Sequence, residues 1–173
     1  MSPLFKKSHP AVPALVTAVV EGQRDGTWKV TFTGRGSLPA GSKGHPDMDA
    51  LVTAVDKQIV ALYLPHLAQD GMGIQYAWYP WGTPKPPKKG TPNAPTEFLV
   101  FVIETGLGYR ATLAGEPGLY GVATSLKQLP DVIAAAVHAR WPGLGDRPPP
   151  AMFTWERTLM PPASRPNTRS QTP

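Results

Sequence analysis

The chain has 173 residues, no cysteine and a formal net charge of +5. A chain of this length can bury one core or two small ones. The missing cysteines exclude disulfides, thiolate zinc sites and cysteine nucleophiles. No apolar run approaches the roughly 20 residues that cross a bilayer, and the start of the chain does not have the form of a signal peptide. We therefore expect a cytoplasmic protein.

The positive charge lies in segments that we expect to be flexible. Residues 1–10 form a basic arm with two lysines, residues 83–95 hold three lysines and no acid, and residues 161–173 form a tail with two arginines. The stretches between these segments are close to neutral. A folded face that binds a phosphate backbone would concentrate Lys and Arg. The charge alone therefore does not indicate a nucleic-acid-binding domain.

One sequence motif occurs twice. Residues 28–34 (WKVTFTG) and 109–115 (YRATLAG) share the order aromatic, basic, apolar, Thr, apolar, small, Gly. An apolar run and a glycine-containing turn precede each copy, and a Gly/Pro loop, a helical pattern and an aromatic run follow it. A unit of this size that recurs once predicts a duplicated domain with a pseudo-two-fold relation.

The first unit is predicted over residues 11–82. It begins with an apolar strand over 11–20, an Asp-Gly turn and a second strand that alternates apolar and polar residues. A helix with one apolar stripe is expected from Pro46 to the residue before Pro65. An aromatic strand over 74–81 closes the unit.

A Pro/Lys-rich linker over residues 83–95 leads to the second unit, which is predicted over 96–160. Its first strand, 98–103, is apolar on both faces, and such a strand needs both faces covered. Two further strands precede a helix that is expected to begin near Pro130. The unit ends with an alternating strand over 151–159.

Each unit is thus predicted as β-β-(β)-α-β, and the fold class as α+β, with antiparallel sheets that each carry one helix on one side. The other side of each sheet should find a partner, either the second unit or a second molecule. A monomeric pseudo-dimer and a homodimer both satisfy this requirement. Ser125 with Gln128 resembles a capping box at the second helix, and residues 161–173 should be disordered.

This order of elements resembles the N-terminal fold of HicB-type antitoxins, a truncated ribonuclease-H-like unit. The second unit carries the family pattern at residues 98–104, 108–109, 115–119, 125–128 and 132–141. The first unit retains the helix, at residues 55–64, and the Asp-Gly segment that leads from it to the last strand, at residues 69–71. The resemblance implies a protein-interaction module, with neutralisation of a toxin as its specific form. No ribbon-helix-helix or helix-turn-helix pattern follows the second unit, so operator binding is not implied.

The sequence indicates no catalytic residue, no metal site and no cofactor. The four histidines lack the spacing of a metal motif. The carboxylates do not form the cluster that a two-metal nuclease needs. Nucleophile-elbow and phosphate-loop patterns are also missing from the sequence. We therefore expect a non-enzymatic protein that binds another macromolecule.

Aromatic residues concentrate at the end of the first unit, next to the basic linker. One interpretation is binding of single-stranded nucleic acid, by base stacking and neutralisation of phosphates. The favoured interpretation assigns one face of this strand to the core and the other to an interface between units or subunits, where Tyr and Trp are common. The candidate binding residues are Tyr76, Trp78, Tyr79, Trp81, Lys85, Lys88, Lys89 and Trp155.

Overall fold

The computed structural model describes residues 15–33, 44–66, 71–82 and 97–160. These residues form an α+β fold in which one mixed sheet of seven strands carries two helices. In chain order the elements are β1 (Leu15–Gly22), β2 (Trp28–Thr33), α1 (Met48–Tyr63), β3 (Met72–Tyr79), β4 (Phe98–Thr105), β5 (Gly108–Leu113), β6 (Glu116–Ala123), α2 (Leu129–Arg140) and β7 (Ala151–Leu159). The predicted arm, linker and tail lie outside the described residues, as does residue 34 with most of the loop after it.

The seven strands lie side by side in the order β2-β1-β3-β7-β4-β5-β6. Strand β1 pairs antiparallel with β2 but parallel with β3, and β4 pairs antiparallel with β5 but parallel with β7. The parallel pairs arise because a helix lies between the paired strands in sequence and returns the chain to the same end of the sheet. The prediction of separate antiparallel sheets is therefore wrong: the sheet is single and mixed.

Both helices cover the same face of the sheet. Along the strands, every second residue is buried beneath them, and each helix adds one apolar stripe. The stripes contain Leu51, Val55, Ile59 and Tyr63 in α1, and Leu129, Ile133 and Val137 in α2. No described residue covers the opposite side of the sheet, which we call the open face.

Helix α1 begins at Met48, two residues after the predicted start, and ends at Tyr63, one residue before the predicted end. The carboxylate of Asp47 accepts a hydrogen bond of 2.8 Å from the Ala50 N–H, which satisfies one of the unpaired donors of the first turn. The helix ends at Tyr63 because Pro65 disfavours helical backbone at the residue before it. Strand β1 is described over Leu15–Gly22, and the first four residues of the predicted strand 11–20 lie outside the described part of the chain.

The antiparallel pair β3–β7 joins the strands of the first half of the chain (β1 to β3) to those of the second half (β4 to β7). Tyr76 lies opposite Trp155, and Trp78 lies opposite Phe153. The rings in each pair are stacked, with centroids 5.5 and 5.3 Å apart. Aromatic side chains bury more apolar area than any other type, so these four rings form the centre of a core that both halves share.

Candidate functional site

Three of the candidate binding residues belong to the core. The side chains of Tyr76, Trp78 and Trp155 point to the helix-covered face, and each is at most 1% exposed. The Tyr76 hydroxyl donates a hydrogen bond of 3.1 Å to the carboxylate of Asp56 on α1. Because a partner cannot contact a side chain without exposed surface, these residues have a structural role here in place of the predicted binding role.

Tyr79 and Trp81 lie at the end of β3 and are half-buried. Burial raises the pKa of the Tyr79 hydroxyl, and the nearby carboxylates of Glu97 and Glu21 raise it further. The Trp81 ring meets the Phe153 ring edge-on, with centroids 6.3 Å apart. Both residues keep some surface that a partner could contact. The linker lysines lie outside the described residues: Lys85, Lys88 and Lys89.

The largest exposed apolar side chains of the sheet cluster on the open face of the second half. Phe101 and Ile103 on β4 are 50% and 56% exposed, and Tyr120 and Val122 on β6 are 51% and 64% exposed. We call these four residues the open-face patch. Contiguous apolar surface of this kind is characteristic of sites that bind proteins or other ligands.

Strand register brings the patch together across three strands. Two rows of directly opposed residues cross β4, β5 and β6: Phe101, Thr112 and Tyr120 in one, and Ile103, Arg110 and Val122 in the other. Opposed side chains on one face of a sheet have Cβ atoms about 5 Å apart. The patch is therefore one surface, formed by side chains that are up to 21 residues apart in sequence.

Arg110 lies on β5, between the patch residues of β4 and β6, and places a positive charge beside them. Its guanidinium carbon is 4.4 Å from the centroid of the Tyr120 ring, which is a cation–π distance. Among the described residues, Arg110 forms no ion pair. Together with Arg110, the patch therefore presents two aromatic rings, two β-branched side chains and one cation that is available to a carboxylate of a partner.

The sequence contained a signal for this patch. Strand β4 is apolar on both faces, and that pattern predicts that both faces are covered. In the structure Phe98, Val100 and Val102 are buried beneath the helices, whereas Phe101 and Ile103 lie on the open face. From the sequence, this pattern predicts only that both faces of the strand need cover, and it does not identify Phe101 and Ile103 as exposed. The candidate binding residues taken from the sequence therefore do not include the patch.

A polar cluster on the helix-covered face connects α1 to β7. The guanidinium of Arg157 lies 2.5 Å from the carboxylate of Asp56 and 5.2 Å from the centroid of the Trp155 ring. Burial raises the pKa of Asp56, although Arg157 and the Tyr76 hydroxyl act in the opposite direction. Burial also raises the pKa of Tyr76 well above its usual range, and Asp56 contributes to this shift. The cluster contacts core side chains from both halves of the chain.

A second polar contact between the halves replaces the predicted capping box. Ser125 precedes a short 3₁₀ turn, Leu126–Gln128, but its hydroxyl makes no capping hydrogen bond and is buried without a partner. Instead, the carboxylate of Asp49 on α1 accepts hydrogen bonds of 3.0 and 2.9 Å from the N–H groups of Leu126 and Lys127. The start of α1 thus caps the turn that leads into α2.

The described residues contain no group of three or more His, Cys, Asp and Glu side chains that could hold a metal ion. Two histidines have local contacts: the His45 backbone pairs with that of Trp28, and a ring nitrogen of His138 lies 2.9 Å from the carbonyl oxygen of Arg147. Across the same part of the chain, neither helix has the length and apolar character that a membrane span requires.

Comparison with known proteins assigns no family to this chain. No family model matches it, and no curated protein or solved structure matches it. The resemblance to HicB-type antitoxins therefore depends on the residues and on the order of elements described above.

Proposed function

We propose that the chain is a non-enzymatic protein-binding module, built from two HicB-like units side by side, that binds its partner through the open-face patch. The observation that carries this proposal is the exposure of Phe101, Ile103, Tyr120 and Val122 on one continuous sheet surface. The specific form is neutralisation of a small protein toxin, as the resemblance implies. The absence of cysteine fits the reducing conditions of the cytoplasm.

The hairpins of the two halves support the proposed duplication. In the first half Val20 lies opposite Val30, and in the second half Val102 lies opposite Ala111. All four side chains are buried beneath the helices. Val30 and Ala111 occupy the same position of the repeated motif. The equivalent strands therefore share register as well as sequence pattern.

The junction between the halves supports the pseudo-two-fold relation. Val20 lies beside Trp78 in the parallel pair β1–β3, just as Val102 lies beside Trp155 in the parallel pair β4–β7. Trp78 is thus the counterpart of Trp155, and by the same register Tyr76 is the counterpart of Phe153. A two-fold rotation exchanges the pair Tyr76 and Trp155 with the pair Phe153 and Trp78. The observed antiparallel register has this symmetry.

The chemistry of the patch favours a protein over a small molecule. Aromatic side chains and arginine are enriched where proteins meet, and they provide much of the binding energy when they are fully desolvated. The patch is a sheet surface, whereas small ligands usually bind in concave sites. Arg110 adds the requirement for a carboxylate near the apolar contact. The partner should therefore present an apolar surface with an acidic residue.

The test uses paired substitutions on the open face. Phe101→Glu with Ile103→Glu introduces two charges into the patch, and Thr31→Glu with Thr33→Glu introduces two charges on the same face of β2, in the first half. The tagged chain is co-expressed with small reading frames that neighbour its own, and co-purification and rescue of growth are measured. We expect a partner to bind the unmodified chain and the Thr31/Thr33 variant, and to be lost with the Phe101/Ile103 variant.

Undiminished binding of the partner by the Phe101/Ile103 variant would contradict the proposal, as would the absence of any co-purified protein. Circular dichroism and thermal unfolding of both variants control for loss of the fold. Because these side chains are already half exposed, charges at these positions should leave the core intact.

A second candidate function is binding of single-stranded nucleic acid. The observation that favours it is the pair of exposed rings, Phe101 and Tyr120, beside Arg110 on an open sheet, since such surfaces stack bases. Affinity should then fall steeply with ionic strength. It should also fall when the linker lysines are changed to alanine: Lys85, Lys88 and Lys89. If no nucleic acid binds at low salt, this candidate is rejected.

A further inference from the structure

Strand β6 forms one edge of the sheet, and the backbone on its outer side has no strand partner among the described residues. The other edge strand, β2, is different. The Trp28 N–H donates a hydrogen bond of 2.8 Å to the His45 carbonyl oxygen, and the His45 N–H donates one of 3.0 Å to the Trp28 carbonyl oxygen. The backbone at the start of β2 is thus paired with His45, whereas no described residue forms such a pair with the outer edge of β6.

The sequence of β6 does not protect this edge. Soluble proteins usually block an exposed edge with charged residues, proline, or a bulge that turns the strand away. In β6 the charge and the proline are confined to its first two residues, Glu116 and Pro117, and the irregular pairing with β5 falls between Thr112 and Leu113, at the same end. Residues 118–123 are uncharged and contain no proline. An edge of this composition is suited to pairing with another strand.

We propose that two copies of the chain form a dimer by antiparallel pairing of β6 with β6, about a two-fold axis through Gly121. In this register Tyr120 of each copy lies opposite Val122 of the other. Opposed pairs of an aromatic and a β-branched residue stabilise a sheet. A slip of one residue would turn these side chains to opposite faces and lose both pairs.

Three features of the chain favour a second copy over another strand. First, the strand is self-complementary in this register, as an isologous interface requires. Second, the pairing joins the open-face patches of two copies into one surface, so the exposed area of Tyr120 and Val122 decreases in both. Third, the chain already uses the same mode of association internally, where β3 and β7 pair antiparallel through opposed aromatic residues.

The helix layer is compatible with this arrangement. Helix α2 lies over β5 and β6, so the two-fold axis would place the α2 helices of the two copies antiparallel. Asp131 in the first turn and Arg140 in the last turn are exposed, and an antiparallel pair brings the acidic end of one helix towards the basic end of the other.

The experiment measures the mass of the full chain in solution by light scattering after size-exclusion chromatography, over a dilution series. We expect the unmodified protein at twice its chain mass of 18.6 kDa. Tyr120→Glu with Val122→Glu places carboxylates directly opposite each other across the axis, and we expect loss of the dimer. The matched control, Thr31→Glu with Thr33→Glu on the other edge strand, should remain dimeric.

A second variant tests the register itself. The chain has no cysteine, so Tyr120→Cys with Val122→Cys introduces the only thiols. Directly opposed strand residues have the Cα spacing that a disulfide requires, and oxidation should therefore give a covalent dimer that a reducing agent separates.

An unmodified protein that is monomeric throughout the dilution series overturns the proposal. So does a Tyr120/Val122 glutamate variant that remains dimeric, or a cysteine variant that does not cross-link. If the glutamate variant fails to fold, cross-linking of the cysteine variant decides whether the β6–β6 dimer forms. The result is independent of the proposed function, because Phe101→Glu with Ile103→Glu tests partner binding without altering β6.

Discussion

At the scale of single residues, the two halves of the chain are connected by carboxylates on α1. Asp49 accepts hydrogen bonds from two backbone N–H groups that lie 77 and 78 residues further along the chain. The Asp56 carboxylate accepts hydrogen bonds from the guanidinium of Arg157, on the last strand, and from the Tyr76 hydroxyl. Hydrogen bonds to ionised groups are stronger than those between neutral groups. These contacts fix how α1 lies relative to the second half.

Replacing Asp49 should lower the free energy of unfolding more than replacing Ser125, although Ser125 is the residue that the sequence predicts as the cap. We expect Asp49→Ala to lower the free energy of unfolding by about 1–2 kcal/mol, because two N–H groups at the start of the turn lose their acceptor. Ser125→Ala removes a buried hydroxyl that has no partner, so stability should be unchanged or slightly higher. Urea denaturation of both variants measures the difference, and a larger loss for Ser125→Ala would contradict this assignment.

Asp56 should make the stability of the protein depend on pH in a defined direction. Its pKa in the folded state is raised by burial, so the folded state binds a proton more readily than the unfolded state does. Its contribution to stability is therefore fully present below the unfolded pKa of about 3.9 and is lost as the pH rises through the folded pKa.

Asp56→Asn removes this titration. We expect the free energy of unfolding of the unmodified protein, minus that of the Asn variant, to decrease as the pH rises from about 3.9 through the raised pKa. Urea denaturation of both proteins at a series of pH values measures this difference. An increase over the same window would mean that the attraction of Arg157 outweighs burial.

At the scale of elements, the packing of α2 on β6 depends on one glycine. A Cβ atom added at Gly121 would lie 2.4 Å from Cγ1 of Val132, which no packed structure tolerates. The helix therefore approaches the strand closely because Gly121 has no side chain. This contact fixes α2 over the edge strand.

We expect Gly121→Ala to destabilise the fold by about 1–3 kcal/mol, the usual cost of overpacking. Val132→Ala removes the clashing methyl groups, so the double variant should be more stable than the sum of the two single changes predicts. A double-mutant cycle measured by thermal unfolding checks this coupling. Additive effects would show that the added methyl group meets something other than Val132.

Elements with a strong local signal were predicted correctly. The last strand has the predicted bounds, Ala151–Leu159, and α1 ends before Pro65 as expected. The sequence could not predict which strands become neighbours. The parallel pairs and the β3–β7 junction depend on contacts between residues far apart in the chain, and local periodicity carries no information about them.

The candidate site was predicted only in part for the same reason. Tyr76 and Trp78 are buried on one face of β3 and Tyr79 lies on the other, as strand alternation requires. Which face the helices cover cannot be read from a strand that is apolar on both sides. The exposure of Phe101 and Ile103 on β4 therefore follows from the sheet order and not from the sequence pattern.

At the scale of the whole molecule, the two halves associate edge to edge. The sequence predicts that the open side of each half is covered, either by the other half or by a second molecule. Instead, strand pairing at β3–β7 extends the sheet, and both helices share one core on the same face. The other face is left without cover by any described residue. This arrangement explains why a small chain combines a continuous core with an exposed apolar patch.

The β3–β7 pairing can be tested directly by a disulfide across the junction. Ala77 and Thr154 lie opposite each other on the open face, between the two stacked aromatic pairs. The chain has no other thiols, and opposed strand residues have a Cα spacing that allows a disulfide. Thr112, on β5, lies three strands away from Ala77 and provides the control, Ala77→Cys with Thr112→Cys.

The measurement is made on Ala77→Cys with Thr154→Cys, with a protease site inserted between residues 83 and 95. After oxidation and cleavage, we expect a non-reducing gel to show the two halves joined as one band, and the control to show two. Two bands from the Ala77/Thr154 variant would mean that the halves do not meet at β3 and β7. That result would contradict the claim that the two halves share one sheet with a common open face.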